Sequence, residues 1–327
     1  MRNERGFALL SVMLVLALLA VVVTEFSMSA RLESSMIRSY RDGVLATHLA
    51  EGAIQQALRE ILGPGTVVAL DDDGSLSFYR TLDTGTGSTG TGSTGTASTK
   101  VARLPRQRVP LGSGEFSYRI SDEEARINVN TAGPDRIERL LLAAGLDKQT
   151  RDTINDSLQD WKDADDLRRI NGAESEEYLK QPVPYRARNG ALQDAAELLQ
   201  IHGVTRDIYR GVQDHPGLAD FVTVVGRDTV NMNTAPAPVL TSLGLSDAEV
   251  AEISSTRVRT PYTAVPPRFA GKGLGVGSVT FRIEAEGRIG GEPRARIVAI
   301  IQRQAQLNSA GATGAKATVL SWRPSEP

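Results

Sequence analysis

Cysteine is missing from all 327 residues, which excludes a disulfide frame, thiolate metal ligands and a cysteine nucleophile. It does not fix the compartment. Histidine is nearly as scarce: His48, His202 and His215 are scattered, and neither H-E-x-x-H nor G-x-S-x-G occurs. Acidic residues are plentiful, but no two are placed as a general acid and base, so the sequence offers no enzyme chemistry. An excess of one charge is also lacking. The formal net charge is −2, which gives no global attraction to nucleic acid. Proline is absent from Phe7 to Leu62, and glycine occurs there only at positions 43 and 52.

That last absence frames the most informative stretch. Phe7 to Val23 is apolar apart from Ser11, and its seventeen residues span ~26 Å as a helix, the short end of a membrane crossing. Arg2 and Arg5 precede it, so the N-terminus stays cytoplasmic and the bulk of the chain is exported. A cleavable secretion signal needs small residues before its cut site. "SMSA" at 27–30 offers a poor one, with Met28 at the outer position. Apolar residues continue at helical spacing through Ile37, Tyr40, Val44, Ile54, Leu58 and Ile61 until Gly63-Pro64-Gly65 stops them. One helix from Phe7 to Leu62 is predicted, ~84 Å long.

Residues 84–99, "TGTGSTGTGSTGTAST", contain formal G-x-G-x-x-G matches without a strand before or a helix after, and read as a flexible linker. Phe116, Tyr118 and Ile120 alternate with polar residues and predict a strand. Asn130 or Thr131 is expected to cap a helix over Pro134–Ala144, stopped by Gly145, with a second helix over 148–162. A helical pair is predicted over 195–212 and a strand over 221–226. "INVNTA" at 127–132 returns as "VNMNTA" at 230–235, an internal echo predicting two related modules, each an Asn-Thr-capped helix, a glycine turn and a second helix. Segments 279–291 and 293–304 alternate strongly around "GGEP" and predict an antiparallel hairpin.

Two stretches invite a binding role. "DWKDADDLRRINGAESEEY" (160–178) gathers Asp160, Asp163, Asp165, Asp166, Glu174, Glu176 and Glu177 around a loop. Calcium takes six to eight oxygen ligands and tolerates irregular loops. The stretch lacks the twelve-residue EF-hand pattern, Arg168 and Arg169 can neutralise part of it, and an ordinary solvated acidic loop has the same composition. The turns "AAGLDK", "IHGVTR" and "SLGLSD" resemble those of helix-hairpin-helix DNA-binding modules, whose backbone N–H groups approach phosphate. Here the second glycine is replaced by Asp147, Thr205 or Ser246, and Arg206 and Arg210 are the local positive charges, so a protein-interaction block is the preferred reading.

Taken together, the leader, the echo and the acidic stretch resemble the type IV pilin class, and within it the subunit K family of type II secretion pseudopilins (GspK). The resemblance rests on "RGF" before the apolar run and on "SDEEARINVNTA", "DWKDADD…NGAE…Y", "YRARNGALQDAAELLQIHGVT" and "VNMNTAPAPVL". Most class members carry glutamate where this chain has Ser11, and the K family characteristically lacks it. The resemblance implies an α+β fold. A long pilin-type helix (7–62, transmembrane over 7–24) packs on an antiparallel sheet from 63–121 and 276–327. A helical domain of two helix-hairpin-helix (SAM-like) modules is inserted over 122–275. It implies cleavage between Gly6 and Phe7 by a prepilin peptidase and N-methylation of Phe7. It implies a single-pass inner-membrane position with a periplasmic bulk, a place at the pseudopilus tip beside minor pseudopilins I and J, and no nucleic-acid partner. It also implies calcium as a cofactor, with Asp160, Asp163, Asp165, Asp166, Glu174 and Glu177 as candidate ligands. The alternative is a membrane-anchored helix-hairpin-helix DNA-binding protein of DNA uptake. The chain departs from the family in its Gly/Thr-rich linker and in Lys162 and "LRRI" inside the acidic stretch.

Overall fold

The computed structural model describes residues 4–71, 73–82, 97–213, 215–307 and 313–325. Helix α1 (Glu4–Ile61) runs unbroken for 58 residues. Its apolar side chains from Leu9 to Leu45 are exposed, and this part contains a window long and apolar enough to cross a membrane. Further along, Ala46, Leu49, Ala50, Ala53, Ile54, Ala57 and Ile61 are buried, at the three- and four-residue spacing that puts them on one helix face.

Strands β1 (Val67–Leu70), β2 (Leu76–Leu82) and β3 (Ala97–Lys100) form a small antiparallel sheet. Part of the predicted linker is therefore strand: 97–99 pair with β2, and 84–96 lie outside the described residues. Strands β4 (Val109–Leu111) and β5 (Gly114–Asp122) follow. They join the C-terminal strands β12 (Thr280–Ile289), β13 (Glu292–Leu307) and β14 (Thr313–Ser325) in a five-stranded antiparallel sheet of order β14-β13-β12-β5-β4. The expected hairpin is β12–β13, closed by Gly290 and Gly291, both at positive φ. The buried face of α1 lies on this sheet against Phe116, Tyr118, Ile120, Phe281, Ile283, Ala285, Ile297, Ala299 and Ile301. The alanines of α1 bring its backbone close, and Gly287 completes the fit: a Cβ there would overlap the Ala46 carbonyl. A buried ion pair fixes the helix end, with Arg106 gripping Glu60 through two bonds of 2.7 and 3.1 Å and the Tyr118 hydroxyl adding a third at 2.5 Å.

Between β5 and β12 the chain builds a second core. It contains β6 (Ile127–Asn128), α2 (Pro134–Ala143), α3 (Lys148–Lys162), α4 (Ser175–Tyr178), α5 (Arg206–Arg210), β7 (Gly211–Val212), β8 (His215–Pro216) and α6 (Leu218–Phe221). Then come β9 (Val222–Thr223), β10 (Val230–Asn231), α7 (Ala237–Ser242), α8 (Asp247–Arg259) and β11 (Leu274–Gly275). Segment 195–212 is a 3-10 turn (Ala195–Gln200) and the single turn of α5, less regular than the helical pair expected. The strand expected over 221–226 shrinks to the two residues of β9, because Phe221 closes α6.

The sequence echo is a structural duplication. β6 pairs in parallel with β9, and β10 in parallel with β11. In each unit the second asparagine pins a distant loop. Asn130 donates to the carbonyls of Leu192 and Val224 and accepts from Leu192 N–H, while Asn233 donates to Tyr262 and Val276 and accepts from Tyr262 N–H. The first asparagine accepts from the second's backbone N–H in both units, at 3.0 Å. These asparagines are therefore not helix caps, as the sequence suggested. The N-cap positions are Gly133 and Pro236, neither with a side-chain cap. Gly145 and Gly244 make the turns between helices at φ of 82° and 78°, where any other residue would be strained.

A polar joint seats this core on the sheet. Asp122, at the end of β5, accepts from Asn231 (2.9 Å), Thr234 (2.6 Å) and Ser278 (2.6 Å). Glu124 takes the N–H groups of Val279 and Thr280, and Glu123 pairs with Arg126 and Arg282. The acidic run "SDEEA" thus faces inward with every carboxylate satisfied.

Candidate metal centre

Helix α3 ends at Lys162, and the next ten residues fold back over its last turn. Asp160 on that turn is fully buried and receives the backbone N–H of Arg169 (3.2 Å) and its guanidinium (2.7 Å). The return is tight: a Cβ at Gly172 would overlap the Asp160 carboxylate. Asn171 adds two bonds to Asp156 at 2.9 and 3.1 Å. The fold-back brings Glu174 next to the carboxylates beyond the helix end, and one oxygen from each of Asp163, Asp165 and Glu174 lies within 4.8 Å of the others.

This arrangement is poor in donors. Glu174 is 5% exposed, and neither of its oxygens has a hydrogen-bond partner. Asp163 Oδ1 is buried and unpartnered too, while its Oδ2 holds Arg169 at 2.6 Å. Burial, then the charges of Asp160, Asp163 and Asp166, push Glu174 up to about 7. A buried carboxylate without a donor is costly unless it takes a proton or a cation. Burial also raises Asp160, against the pull of Arg169. Three converging carboxylates with several free oxygens suit a hard divalent cation such as calcium, which accepts oxygen ligands in irregular geometry.

The candidate ligands thus separate. Asp163, Asp165 and Glu174 converge; Asp160 adjoins them but is held by Arg169. Asp166 and Glu177 line the cleft outside, where Asn189 lies 3.4 Å from Asp166 and Lys180 lies 3.4 Å from Glu177. Lys162 donates to the Val129 carbonyl at 2.8 Å and makes no ion pair with the cluster, although its charge acts on Asp163. Beneath lies an aromatic floor, Trp161 edge-on to Tyr178 (5.3 Å) and Tyr178 stacked on Tyr185 (5.1 Å). Sequence reasoning missed Gly172, whose only signal was a glycine after asparagine inside an acidic run.

The glycine turns have a different chemistry. Asp147 caps α3, accepting from Thr150 N–H at 3.1 Å, and Thr205 caps α5 through Ile208 N–H. Ser246 and Glu249 form a reciprocal capping box on α8. The helix N-termini that would face phosphate are filled by the chain's own oxygens, two of them charged. Ser11 lies in the apolar part of α1. Gly6 and Phe7 fall in its first turns, and the surroundings of their side chains lie outside the described residues.

Comparison with known proteins places these features. The family model for type II secretion system (T2SS) protein K matches residues 118–217, the stretch holding most of the first duplicated unit, short of its closing strand β9, and the acidic cluster. The type II secretion system protein K of Pectobacterium carotovorum subsp. carotovorum is 29% identical over 284 residues, 79% of this chain and 76% of that relative. The protein of the same description from Pseudomonas aeruginosa is 33% identical over 150 residues, covering 42% and 43% of the two chains. Among solved structures, the GspK-GspI-GspJ complex from enterotoxigenic Escherichia coli contains a chain that matches with a TM-score of 0.53 at 19% identity. The match covers 68% of this chain and 84% of that one, a likeness of fold.

Proposed function

We infer that this chain, which belongs to the type II secretion system protein K family, is a minor pseudopilin that caps the pseudopilus and helps initiate its assembly for the export of folded proteins. One observation carries the reading. A single helix is apolar and exposed from Leu9 to Val23, keeps its remaining apolar side chains exposed as far as Leu45, then sits on an antiparallel sheet through Ala46–Ile61, and a bulky second core stands on the sheet's far end. The exposed half suits first the inner membrane and then the company of other subunits' helices. The second core adds a bulk suited to a terminal position. The relative of known structure was solved with GspI and GspJ, so the equivalent minor pseudopilins are the proposed partners. Cleavage between Gly6 and Phe7 by a prepilin peptidase would free the helix. Ser11 fits a leading subunit: a glutamate there, with no neighbour ahead to supply an amine, would be an unpaired charge in lipid.

Calcium bound by Asp163, Asp165 and Glu174 is proposed as a structural tie, neutralising the buried carboxylates and fastening the segment after α3 to the helix end. No catalytic role is assigned. The duplex-DNA alternative is disfavoured by the carboxylates of Asp147 and Glu249 at the helix N-termini.

The deciding experiment is co-purification of the full chain from detergent with co-expressed I and J minor pseudopilins of the same organism, with intact-mass measurement of the membrane form. A stable ternary complex and a chain beginning at Phe7 are expected. A chain retaining Met1, and no complex, would overturn the reading.

A further inference from the structure

The acidic cluster contains its own cation. A single guanidinium nitrogen of Arg169 lies 2.7 Å from Asp160 Oδ1 and 2.6 Å from Asp163 Oδ2, bridging two carboxylates much as a metal ion would. It is not a loose surface arginine. Its backbone N–H also binds Asp160, its carbonyl takes the Gly172 N–H at 3.1 Å, and the absence of a side chain at Gly172 allows the loop to lie against Asp160. Asp163 belongs to both halves of the cluster. One oxygen holds Arg169, and the other is buried without a partner beside Asp165 and Glu174.

We propose that Arg169 is a resident cation that permanently fills the Asp160–Asp163 half, so that the cluster takes one divalent ion, at Asp163, Asp165 and Glu174, and not two. The inference rests on the calcium reading above. Charge supports it. Four carboxylates facing one guanidinium and one divalent ion retain a single negative charge, which the surrounding backbone N–H groups and solvent accommodate. A second divalent ion would make the site net positive unless the guanidinium left. Departure would break the Arg169 bonds to both Asp160 and Asp163. Arg168, one residue earlier, lines the outer cleft instead and has no hydrogen bond or ion pair to these carboxylates.

Native mass spectrometry and calorimetric titration of the full chain in detergent, stripped with chelator and then titrated with calcium chloride, test this. The wild-type chain is expected to take one ion. Arg169→Gln leaves Asp160 buried without a counter-ion. It is expected to take two ions, to unfold at lower temperature than wild type in chelator, and to regain more thermal stability on calcium addition than wild type does. Arg169→Lys, which keeps a cation, and Arg168→Gln are expected to take one ion. Should Arg169→Gln fail to fold without calcium, the wild-type and Arg169→Lys stoichiometries still decide. Two ions in the wild type or in Arg169→Lys, or an Arg169→Gln chain matching wild type in stoichiometry and thermal shift, overturns the inference and leaves the calcium reading standing. No calcium bound by any variant sinks both.

Discussion

Replacing Glu174 by glutamine should move stability in opposite directions with and without metal. In the metal-free chain, burial and three neighbouring aspartates raise Glu174 from the ordinary 4.5 to about 7. The native state therefore keeps a proton that the unfolded chain releases near 4.5. Between those values the native state binds more protons, so metal-free stability falls as pH rises from about 4.5 to about 7 and levels off above. The difference corresponds to a ceiling of about 3 kcal/mol. The outer cleft admits solvent, and screening reduces this to roughly 1–2 kcal/mol. Glutamine has the same shape and no charge. At pH 8 in chelator, Glu174→Gln should unfold about 2–8 °C above wild type, taking about 2–4 °C per kcal/mol for a chain of this size. At pH 4.5 the two should coincide. In calcium the order reverses: wild type gains about 2.7 kcal/mol when the metal is at a hundred times its dissociation constant, and the variant loses a ligand and most of that gain. Thermal unfolding followed by tryptophan fluorescence, with Trp161 buried beside the cluster, reads all three conditions. A variant less stable than wild type in chelator at pH 8 would refute the claim that Glu174 is an uncompensated charge.

Other substitutions test the frame around the site. Gly287→Ala should cost about 1–3 kcal/mol in urea unfolding by pushing α1 off the sheet, whereas Gly43→Ala, with nothing within 4 Å, should be neutral or stabilise by about 0.5–1 kcal/mol. Arg106→Met strips the buried Glu60 of its partner and should cost about 3–5 kcal/mol, much of it recovered in the Glu60→Gln, Arg106→Met double variant. Asn130→Ala and Asn233→Ala each remove three equivalent hydrogen bonds and should destabilise by a similar amount, about 2–4 kcal/mol on the same assay.

Helix α1 was legible because nothing in 7–62 breaks it, and β5, β12 and β13 because one face of each is buried and the alternation survives. Where the sequence misled, a local rule was outranked by a tertiary one. Asn130 has the composition of a helix cap, but Gly133 and Pro134 stand between it and the first helical turn. Its amide is free to reach Leu192, sixty-two positions away, a partner no local window contains. The short β9 is similar: its apolar run is shared with α6, since Phe221 packs in the core as the last residue of that helix. At the acidic cluster the residue types were visible, but their division was not. Six carboxylates are equivalent in the sequence. The fold-back at Gly172 makes three of them converge and assigns Asp160 to Arg169, and that geometry depends on a backbone approach that no residue pattern announces.

The duplication explains why the cluster stands in the first unit alone. Each unit opens with a short strand and an Asn-x-Asn-Thr turn, runs through two helices, and returns to pair in parallel with its own opening strand. In each, a cation from the second helix reaches the second residue of the turn: Lys162 to the Val129 carbonyl, Arg257 to that of Met232. Lys162, out of place in an acidic stretch, thus has a counterpart in Arg257 of the second unit. The units differ in the return path. After α8 the chain reaches β11 across residues 260–273, whereas after α3 it reaches β9 only across 163–221, a segment made of single turns and two-residue strands. Backbone ladders that short hold little, so side chains must fix the segment. The aromatic floor secures its middle, and the acidic cluster lies at its root, where the chain leaves α3. A cation bound there would close the longer loop at the point where the shorter one needs no closure.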